Sequence, residues 1–155
     1  MKLEWKKLII CVAIPLAVGA LASFITSDNI EIFLDLNKPP LSPPAWLFPV
    51  VWTILYILMG IASYLVYSSG KRVGVTTALK VYGLQLIFNF FWSIIFFNLS
   101  NYLFAFIWIV ALWLLILLTN RLFDKISVAA GYLLLPYLIW VSFAGYLNWG
   151  IYLLN

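Results

Sequence analysis

Polar and aromatic side chains recur four residues apart within long apolar runs, and these residues are equipped to recognise a ligand. Gln85, Asn89 and Ser93 stand at i, i+4 and i+8, so on a helix they form one stripe. Two further series combine large aromatic residues with small or polar ones: Trp52, Tyr56 and Gly60, and Pro136, Trp140, Ala144 and Asn148. Amides donate and accept hydrogen bonds, and indole and phenol rings stack on flat apolar surfaces. The pattern is compatible with a ligand pocket between helices, and simple helix packing is the alternative.

The sequence lacks the side chains of the common catalytic and metal-binding sites. It contains no histidine and one cysteine, Cys11, which excludes an intrachain disulfide, zinc sites built from cysteine and histidine, and histidine catalysis. Without histidine, we expect no strong axial ligation of haem iron, although Cys11, the methionines and the tyrosines remain formal ligands. We expect no metal site and no obligatory cofactor. The nine basic residues are scattered between apolar runs, so we expect no nucleic-acid-binding face.

The elements that carry these residues are predicted to be transmembrane helices. Of the 155 residues, 66% are hydrophobic and 9% are charged, whereas a soluble domain carries about a quarter charged residues. A helix needs about 20 apolar residues to cross a bilayer, and five stretches qualify: 8–26, 45–68, 78–97, 102–122 and 128–153. The sequence predicts an all-α integral membrane protein, a single domain over residues 1–155. We expect a multi-pass protein of the cell membrane, with the lipid bilayer as its partner.

The charged residues predict the orientation of the five spans. With the N-terminus in the cytoplasm, eight basic residues lie inside: Lys2, Lys6, Lys7, Lys71, Arg72, Lys80, Arg121 and Lys125. Only Lys38 lies outside. Cytoplasmic loops carry an excess of lysine and arginine, so this bias favours a cytoplasmic N-terminus and an external C-terminus.

A cleaved signal peptide is the alternative interpretation of the first span. Residues 1–7 form a basic leader, and residues 20–22 contain an A-x-A cleavage pattern. The apolar run of 19 residues is longer than the usual 7–15 residues of a signal peptide. We therefore expect a retained helix.

The first loop, residues 27–44, is the longest of the connections, and it faces outside. It contains four prolines between residues 38 and 44, and Ser42 followed by Pro43 predicts the N-cap and first turn of the second span. Two roles remain open for this loop, a rigid connector or a lid over a site between the helices. The connections after the third and fourth spans are short, so spans three to five should be antiparallel neighbours.

The polar and aromatic stripes converge in the outer half of the bundle, beneath the first loop. Span two descends from outside and spans three and five ascend, so Trp52, Tyr56, Asn89, Trp92 and Trp140 reach similar depths. An amide is costly in lipid, so the stripe of Gln85 and Asn89 should face the bundle interior. Helix packing is the alternative, since polar side chains between membrane helices often contribute only about 0.6 kcal/mol. Interfacial anchoring explains the tryptophans at span ends but not the deeper ones.

Three stretches, in chain order, resemble the signature motifs of one known family. They are KPPLSPPAWLFPVVWTILY at residues 38–56, QLIFNFFWS at residues 85–93 and PYLIWVSFAGYLN at residues 136–148. The family is that of the tryptophan-rich sensory proteins, TspO/MBR, related to the mitochondrial translocator protein or peripheral benzodiazepine receptor. The resemblance covers nearly the whole chain.

That resemblance implies five helices, a homodimer, and a pocket for tetrapyrroles such as protoporphyrin IX. It also implies binding of isoquinoline carboxamide and benzodiazepine drugs, and some bacterial members resemble light-dependent porphyrin-degrading proteins. Carried over by position, the ligand-binding residues are Phe33, Trp52, Tyr56, Asn89, Trp92, Trp140 and Ala144, with Ser23 as a further candidate.

Two departures from the family pattern affect what the resemblance implies. Many relatives have a tryptophan in the proline-rich loop where this chain has Leu41, so loop contacts with a ligand should differ. The cholesterol motif of the mitochondrial relatives needs a basic residue after its tyrosine, and here Tyr152 is followed only by Leu153, Leu154 and Asn155. Sterol binding is therefore not expected.

The resulting hypothesis is a membrane receptor or sensor that holds metal-free porphyrin by stacking and burial. Trp140 and Trp52 are the candidate electron donors to a photoexcited ligand, which would lead to oxidative ring opening. One alternative is a transporter, or a regulator of transport, for porphyrins or other lipophilic molecules. Another is a scaffold that acts through a partner membrane protein.

Overall fold

The computed structural model describes residues 3–155, and all of its regular secondary structure is helical. Lys2, one of the basic residues expected inside, lies outside the described residues. The elements are α1 (Trp5–Thr26), a 3-10 turn (Ser27–Asn29), α2 (Ile30–Asp35), α3 (Leu47–Tyr67), α4 (Val75–Ser93), a π-helical turn (Ile94–Asn98), α5 (Tyr102–Ile126) and α6 (Val128–Leu154). Five helices, all except the short α2, are long and apolar enough to cross a membrane. The predicted five-helix, all-α membrane fold is confirmed.

The five long helices form a ring in which each packs against two neighbours. Around the ring the order is α1, α3, α6, α5 and α4. Helices α5 and α6 are separated by Ser127 alone, whose side-chain oxygen accepts a hydrogen bond from the Ala130 N–H at 3.4 Å and caps α6. The short connections thus join antiparallel neighbours, as expected.

Two expectations about the first loop need correction. Part of the loop is helical, because the 3-10 turn and α2 occupy Ser27–Asp35. Ser42 does not cap α3: its Oγ donates to the carbonyl oxygen of Pro39 at 2.7 Å, and α3 begins only at Leu47. Pro43 and Pro44 explain the delay, because a residue that precedes proline is disfavoured in the helical region. The remaining helix ends agree with the predicted spans to within four residues.

Helices α1 and α3 approach each other closely at two glycines. A Cβ added at Gly60 would lie 2.8 Å from the carbonyl oxygen of Cys11 and would also collide with the backbone of Val12. A Cβ added at Gly19 would collide with the ring of Tyr56. Gly60 therefore sets the separation of the two backbones, and Gly19 leaves room for the tyrosine ring.

Basic residues gather at one end of the bundle. The backbone N–H of Glu4 donates to Tyr64 Oη at 2.9 Å, which places the start of α1 beside the end of α3. Lys71 Nζ donates to the carbonyl oxygen of Ile126 at 2.7 Å, which places the α3–α4 loop beside the end of α5. Lys38 lies after α2, at the opposite end. The charges are separated as expected, and the assignment of the basic end to the cytoplasm stays a prediction.

Candidate functional site

A cavity of about 40 Å³ lies beneath the segment that joins α1 to α3, at the end of the bundle opposite the basic residues. We call residues 30–44, which comprise α2 and the proline-rich stretch, the lid. Five of the twelve residues that line the cavity are aromatic: Phe33 of the lid, Phe48 of α3, Trp92 of α4, and Phe96 and Phe97 of the π-helical turn. The ring of Phe33 meets the other three phenylalanine rings at centroid distances of 5.6 to 6.0 Å. Aromatic rings from four elements thus face the cavity.

The lid is attached to α6 near the C-terminus. The Asn37 N–H donates to Asn155 Oδ1 at 3.0 Å, and Asn155 Nδ2 donates back to the Asn37 carbonyl oxygen at 2.9 Å. Pro39 is buried against Gly150, where an added Cβ would lie 2.5 Å from the proline Cβ. Tyr146 Oη donates to the carbonyl oxygen of Pro40 at 2.8 Å. The attachments to α6 therefore hold the lid across the cavity mouth.

The exposed tip of the lid has a strained backbone. Leu41 has φ of 68° and is 84% exposed. A positive φ is uncommon for a bulky residue other than glycine, so the contacts on either side of Leu41 must hold this conformation. Leu41 is not among the residues that line the cavity.

A buried hydrogen-bonded chain crosses the bundle below the cavity. Tyr56 Oη donates to Asn89 Oδ1 at 2.7 Å, and Asn89 Nδ2 donates to Tyr137 Oη at 2.9 Å. Tyr137 Oη then donates to Gln85 Oε1 at 2.7 Å. Gln85 and Asn89 are each 1% exposed, which confirms that these two members of the polar stripe face the interior, whereas Ser93 is half-buried. Because both sides of the Asn89 amide are already bonded, this residue supports the site and does not present its amide to the cavity.

The two tryptophans proposed as electron donors lie outside the cavity lining. Trp52 stacks on Tyr56, with ring centroids 5.5 Å apart, and meets Tyr137 edge-on at 6.2 Å. Trp140 lies behind the cavity wall, with its ring 6.0 Å from that of Phe48. Its indole Nε1 is buried and has no hydrogen-bond partner among the described residues. Trp140 is therefore separated from the cavity by one aromatic ring, that of Phe48, whereas the rings that Trp52 contacts belong to the buried chain below the cavity.

Trp92 is held in the cavity wall by hydrogen bonds that link three helices. Its Nε1 donates to Asn148 Oδ1 of α6 at 3.1 Å. Asn148 Nδ2 in turn donates to the carbonyl oxygen of Tyr102, the first residue of α5, at 2.8 Å. These bonds orient the indole ring, which packs on Phe96 at a centroid distance of 5.4 Å.

The structure separates the residues proposed from sequence into groups. Phe33, Trp92 and Ala144 line the cavity, whereas Tyr56 and Asn89 belong to the buried chain below it. Trp52 and Trp140 are not among the lining residues, and Ser23 is exposed on α1. Sequence reasoning missed several members of the site: Lys38, Phe48, Phe96, Phe97 and Tyr137. Phe96 follows Trp92 by four residues, so helical spacing was a signal that could have identified it.

Comparisons with known proteins agree with the motif resemblance. The model of the TspO/MBR family matches residues 11–154. A tryptophan-rich protein TspO from Chlorobaculum tepidum is 43% identical over 150 residues, which cover 96% of this chain and 95% of that protein. A protein of the same name from Archaeoglobus fulgidus is 40% identical, with 96% and 97% covered. A translocator protein from Ovis aries is 31% identical over 128 residues, with 81% and 76% covered.

Proposed function

The chain belongs to the TspO/MBR family, and from that premise we propose that it is a membrane receptor for tetrapyrroles, in particular metal-free protoporphyrin IX. Family membership and the five apolar helices make it a multi-pass protein of the cell membrane with a sensor or translocator role. That the ligand is a tetrapyrrole is a more specific proposal than the sensor or translocator role. It rests on the match between the chemistry of the cavity and that of a flat aromatic macrocycle.

The aromatic wall of the cavity is the observation that carries this proposal. Phe33, Phe48 and Trp92 approach the same space from three different elements, and aromatic pairs stabilise one another by about 0.5–1.5 kcal/mol beyond the burial of area. Ser42 adds a hydroxyl oxygen at the wall that can accept a hydrogen bond from a ligand, whereas both sides of the Asn148 amide are already bonded, to Trp92 and Tyr102. The chain has no histidine to ligate iron, so the free-base porphyrin is the form that we assign to the site.

Binding of a macrocycle requires the lid to move. A cavity of about 40 Å³ has room for only a few water molecules. The attachments of the lid to α6 involve the surface pairs Asn37–Asn155 and Tyr146–Pro40 and the contact of Pro39 with α6. Separation of the lid from α6 would open the cavity and leave the five-helix ring intact. The ligand would then be enclosed when the lid returns.

We further propose that the bound porphyrin is degraded in light. An electron passes from the indole of Trp140 or Trp52 to the photoexcited ring, which leaves an indole radical cation and a reduced porphyrin. Dioxygen is the co-reactant: one carbon–carbon bond of the macrocycle breaks, each oxygen atom becomes the carbonyl oxygen of one of the two carbons, and the electron returns to the indole radical cation. Trp140 is the better-placed donor, because only Phe48 lies between its ring and the cavity.

Titration of the purified protein with protoporphyrin IX tests receptor and donor roles together. We expect saturable quenching of tryptophan fluorescence, and a weaker quench with slower light-dependent bleaching of the porphyrin after Trp140→Phe combined with Trp52→Phe. Trp5→Phe combined with Trp113→Phe is the matched control, because neither ring contacts an aromatic ring of the cavity lining or of the buried chain below it, whereas Trp140 contacts Phe48 and Trp52 contacts Tyr56. Absence of quenching would refute the receptor, and identical quenching and bleaching in the two double variants would refute the donors.

Transport is the second candidate function, and the translocator name of one relative favours it. A transporter would move protoporphyrin IX across the membrane of proteoliposomes that contain the protein. Flux of the porphyrin in the dark would favour transport. Retained binding without flux would favour the sensor.

The family resemblance also leads us to propose binding of isoquinoline carboxamides and benzodiazepines at the same cavity, and a homodimer. Competition between these drugs and protoporphyrin IX tests the shared site.

For the dimer, Ala13 and Ala17 offer exposed small residues four apart on α1, where helices of two copies can approach closely. Cross-linking that is unchanged in Ala17→Leu would exclude this face.

A further inference from the structure

Lys38 is the only ionised side chain among the residues that line the cavity. It lies in the lid at the cavity mouth, and every other lining residue is apolar or neutral. Aromatic walls attract flat apolar molecules without regard to the charge of their substituents. A single ammonium group at the mouth adds a preference for negatively charged substituents, which the aromatic walls cannot provide.

The ammonium group of Lys38 has only neutral partners. Its Nζ donates to the carbonyl oxygens of Leu34 at 2.9 Å and Leu36 at 3.2 Å, and it stands 4.9 Å from the ring centroid of Phe33. Within residues 3–155, the single ion pair joins Lys7 to Glu4, so no carboxylate of this part of the chain neutralises Lys38. The side chain is half-buried, and its positive charge is uncompensated.

The position of this charge is fixed by the attachments on both sides of it. The preceding Asn37 is bonded to Asn155 through its backbone, and the following Pro39 is packed against Gly150. The backbone of Lys38 is thus held between two contacts with α6. A charge-assisted hydrogen bond is about twice as strong as a neutral one, and it is stronger still in a partly buried site than in water.

We propose that Lys38 makes the cavity selective for ligands that carry a carboxylate, and that it binds a propionate of the tetrapyrrole. This inference rests on the proposed tetrapyrrole-binding function. Protoporphyrin IX carries two propionates on one edge of an otherwise apolar ring. The apolar edge therefore enters between the aromatic residues of α3 and α4, and the acidic edge remains at the mouth under the lid. Neutral ligands of the cavity gain nothing from Lys38.

A comparison of protoporphyrin IX with its dimethyl ester, in wild type and in Lys38→Met, tests the proposal. We expect the wild type to bind the diacid at least about tenfold more tightly than the diester, a ratio that corresponds to about 1.4 kcal/mol. In Lys38→Met the ratio should fall to near one, through loss of affinity for the diacid while affinity for the diester is retained. Quenching titrations of the full chain in one detergent provide all four dissociation constants.

Further variants separate the charge of Lys38 from its part in holding the lid. Lys38→Gln retains donors for the carbonyl oxygens of Leu34 and Leu36 but lacks the charge, so it should lose the preference for the diacid, whereas Lys38→Arg should keep it. Lys80→Met, at an exposed position of α4 outside the cavity lining, should keep the wild-type ratio. An unchanged ratio in Lys38→Gln would overturn the selectivity and leave the tetrapyrrole receptor standing. Failure of the wild type to bind either porphyrin would overturn both.

Discussion

Gly60→Ala is expected to lower the free energy of unfolding by about 1–3 kcal/mol or more, the range of overpacked cores. The added Cβ would lie 2.8 Å from the carbonyl oxygen of Cys11 and would collide with the Cα of Val12. Both obstacles are backbone atoms of α1, so no side-chain rotation relieves the collision. The two helices must separate, and separation removes packing along a contact that buries Tyr56 near the cavity. Thermal unfolding in detergent, followed by circular dichroism, measures the loss.

Gly83→Ala is the matched control for this substitution. Gly83 also lies within a long helix, α4, but an added Cβ there meets no atom within 4 Å. Alanine favours the helix over glycine by about 1 kcal/mol, so this variant should unfold at the wild-type temperature or above it. Equal shifts of the unfolding temperature in the two variants would contradict the assigned contact between α1 and α3.

The five spans could be predicted from sequence because length and hydropathy are local properties of the chain. The start of α3 could not, since the pair Ser42–Pro43 has the composition of a helix start but is followed by Pro44. Here the backbone preference set by consecutive prolines overrides the capping preference of serine. The short helix α2 was not predicted for a different reason: the polar residues around Asp28, just before it, have the composition of an ordinary loop.

The predicted inward face of α6 is confirmed at Ala144 and Asn148 but is about one residue out of register at Pro136. Residues four apart rotate by about 40° at each step, since a helix has 3.6 residues per turn. Over the series from Pro136 to Asn148 the error accumulates, so Pro136 is exposed whereas Asn148 is 1% exposed. The inward residue in the first of these turns is Tyr137, which is 1% exposed and belongs to the hydrogen-bonded chain.

The contacts of the lid could not be predicted from the sequence. Asn37 and Asn155 are 118 residues apart, and two asparagines carry no signal that they pair. Lys38 was recognised only as the single basic residue on the outer side. Its place in the cavity lining depends on the contact of Pro39 with Gly150, which only the folded chain reveals. Motif resemblance identified the family, whereas three-dimensional packing supplied the charged residue of the site.

Asn89→Leu is expected to destabilise the protein by about 2–4 kcal/mol, because it breaks the buried chain at its centre. The Tyr56 hydroxyl would lose its acceptor, Asn89 Oδ1, and a buried donor without a partner costs about 1–3 kcal/mol. Tyr137 would lose the hydrogen bond from Asn89 Nδ2, a further contribution of about 0.5–1.5 kcal/mol, while it keeps Gln85 as its acceptor. The loss is measured by denaturant or thermal unfolding. We also expect weaker binding of protoporphyrin IX, because Trp52 stacks on Tyr56.

Tyr56→Phe, added to Asn89→Leu, shows whether the orphaned hydroxyl causes this loss. Tyr56→Phe alone leaves Asn89 Oδ1 without its donor, whereas the double variant removes donor and acceptor together. Replacing both partners with apolar groups of similar shape is nearly neutral for that bond. The double variant should therefore be more stable than Asn89→Leu by about 1 kcal/mol or more, although it carries one more substitution. Destabilisation equal to the sum of the two single variants would mean that Tyr56 and Asn89 contribute independently. Recovery would instead assign the chain a structural role: it fixes the ring on which Trp52 stacks, while the ligand is bound above it.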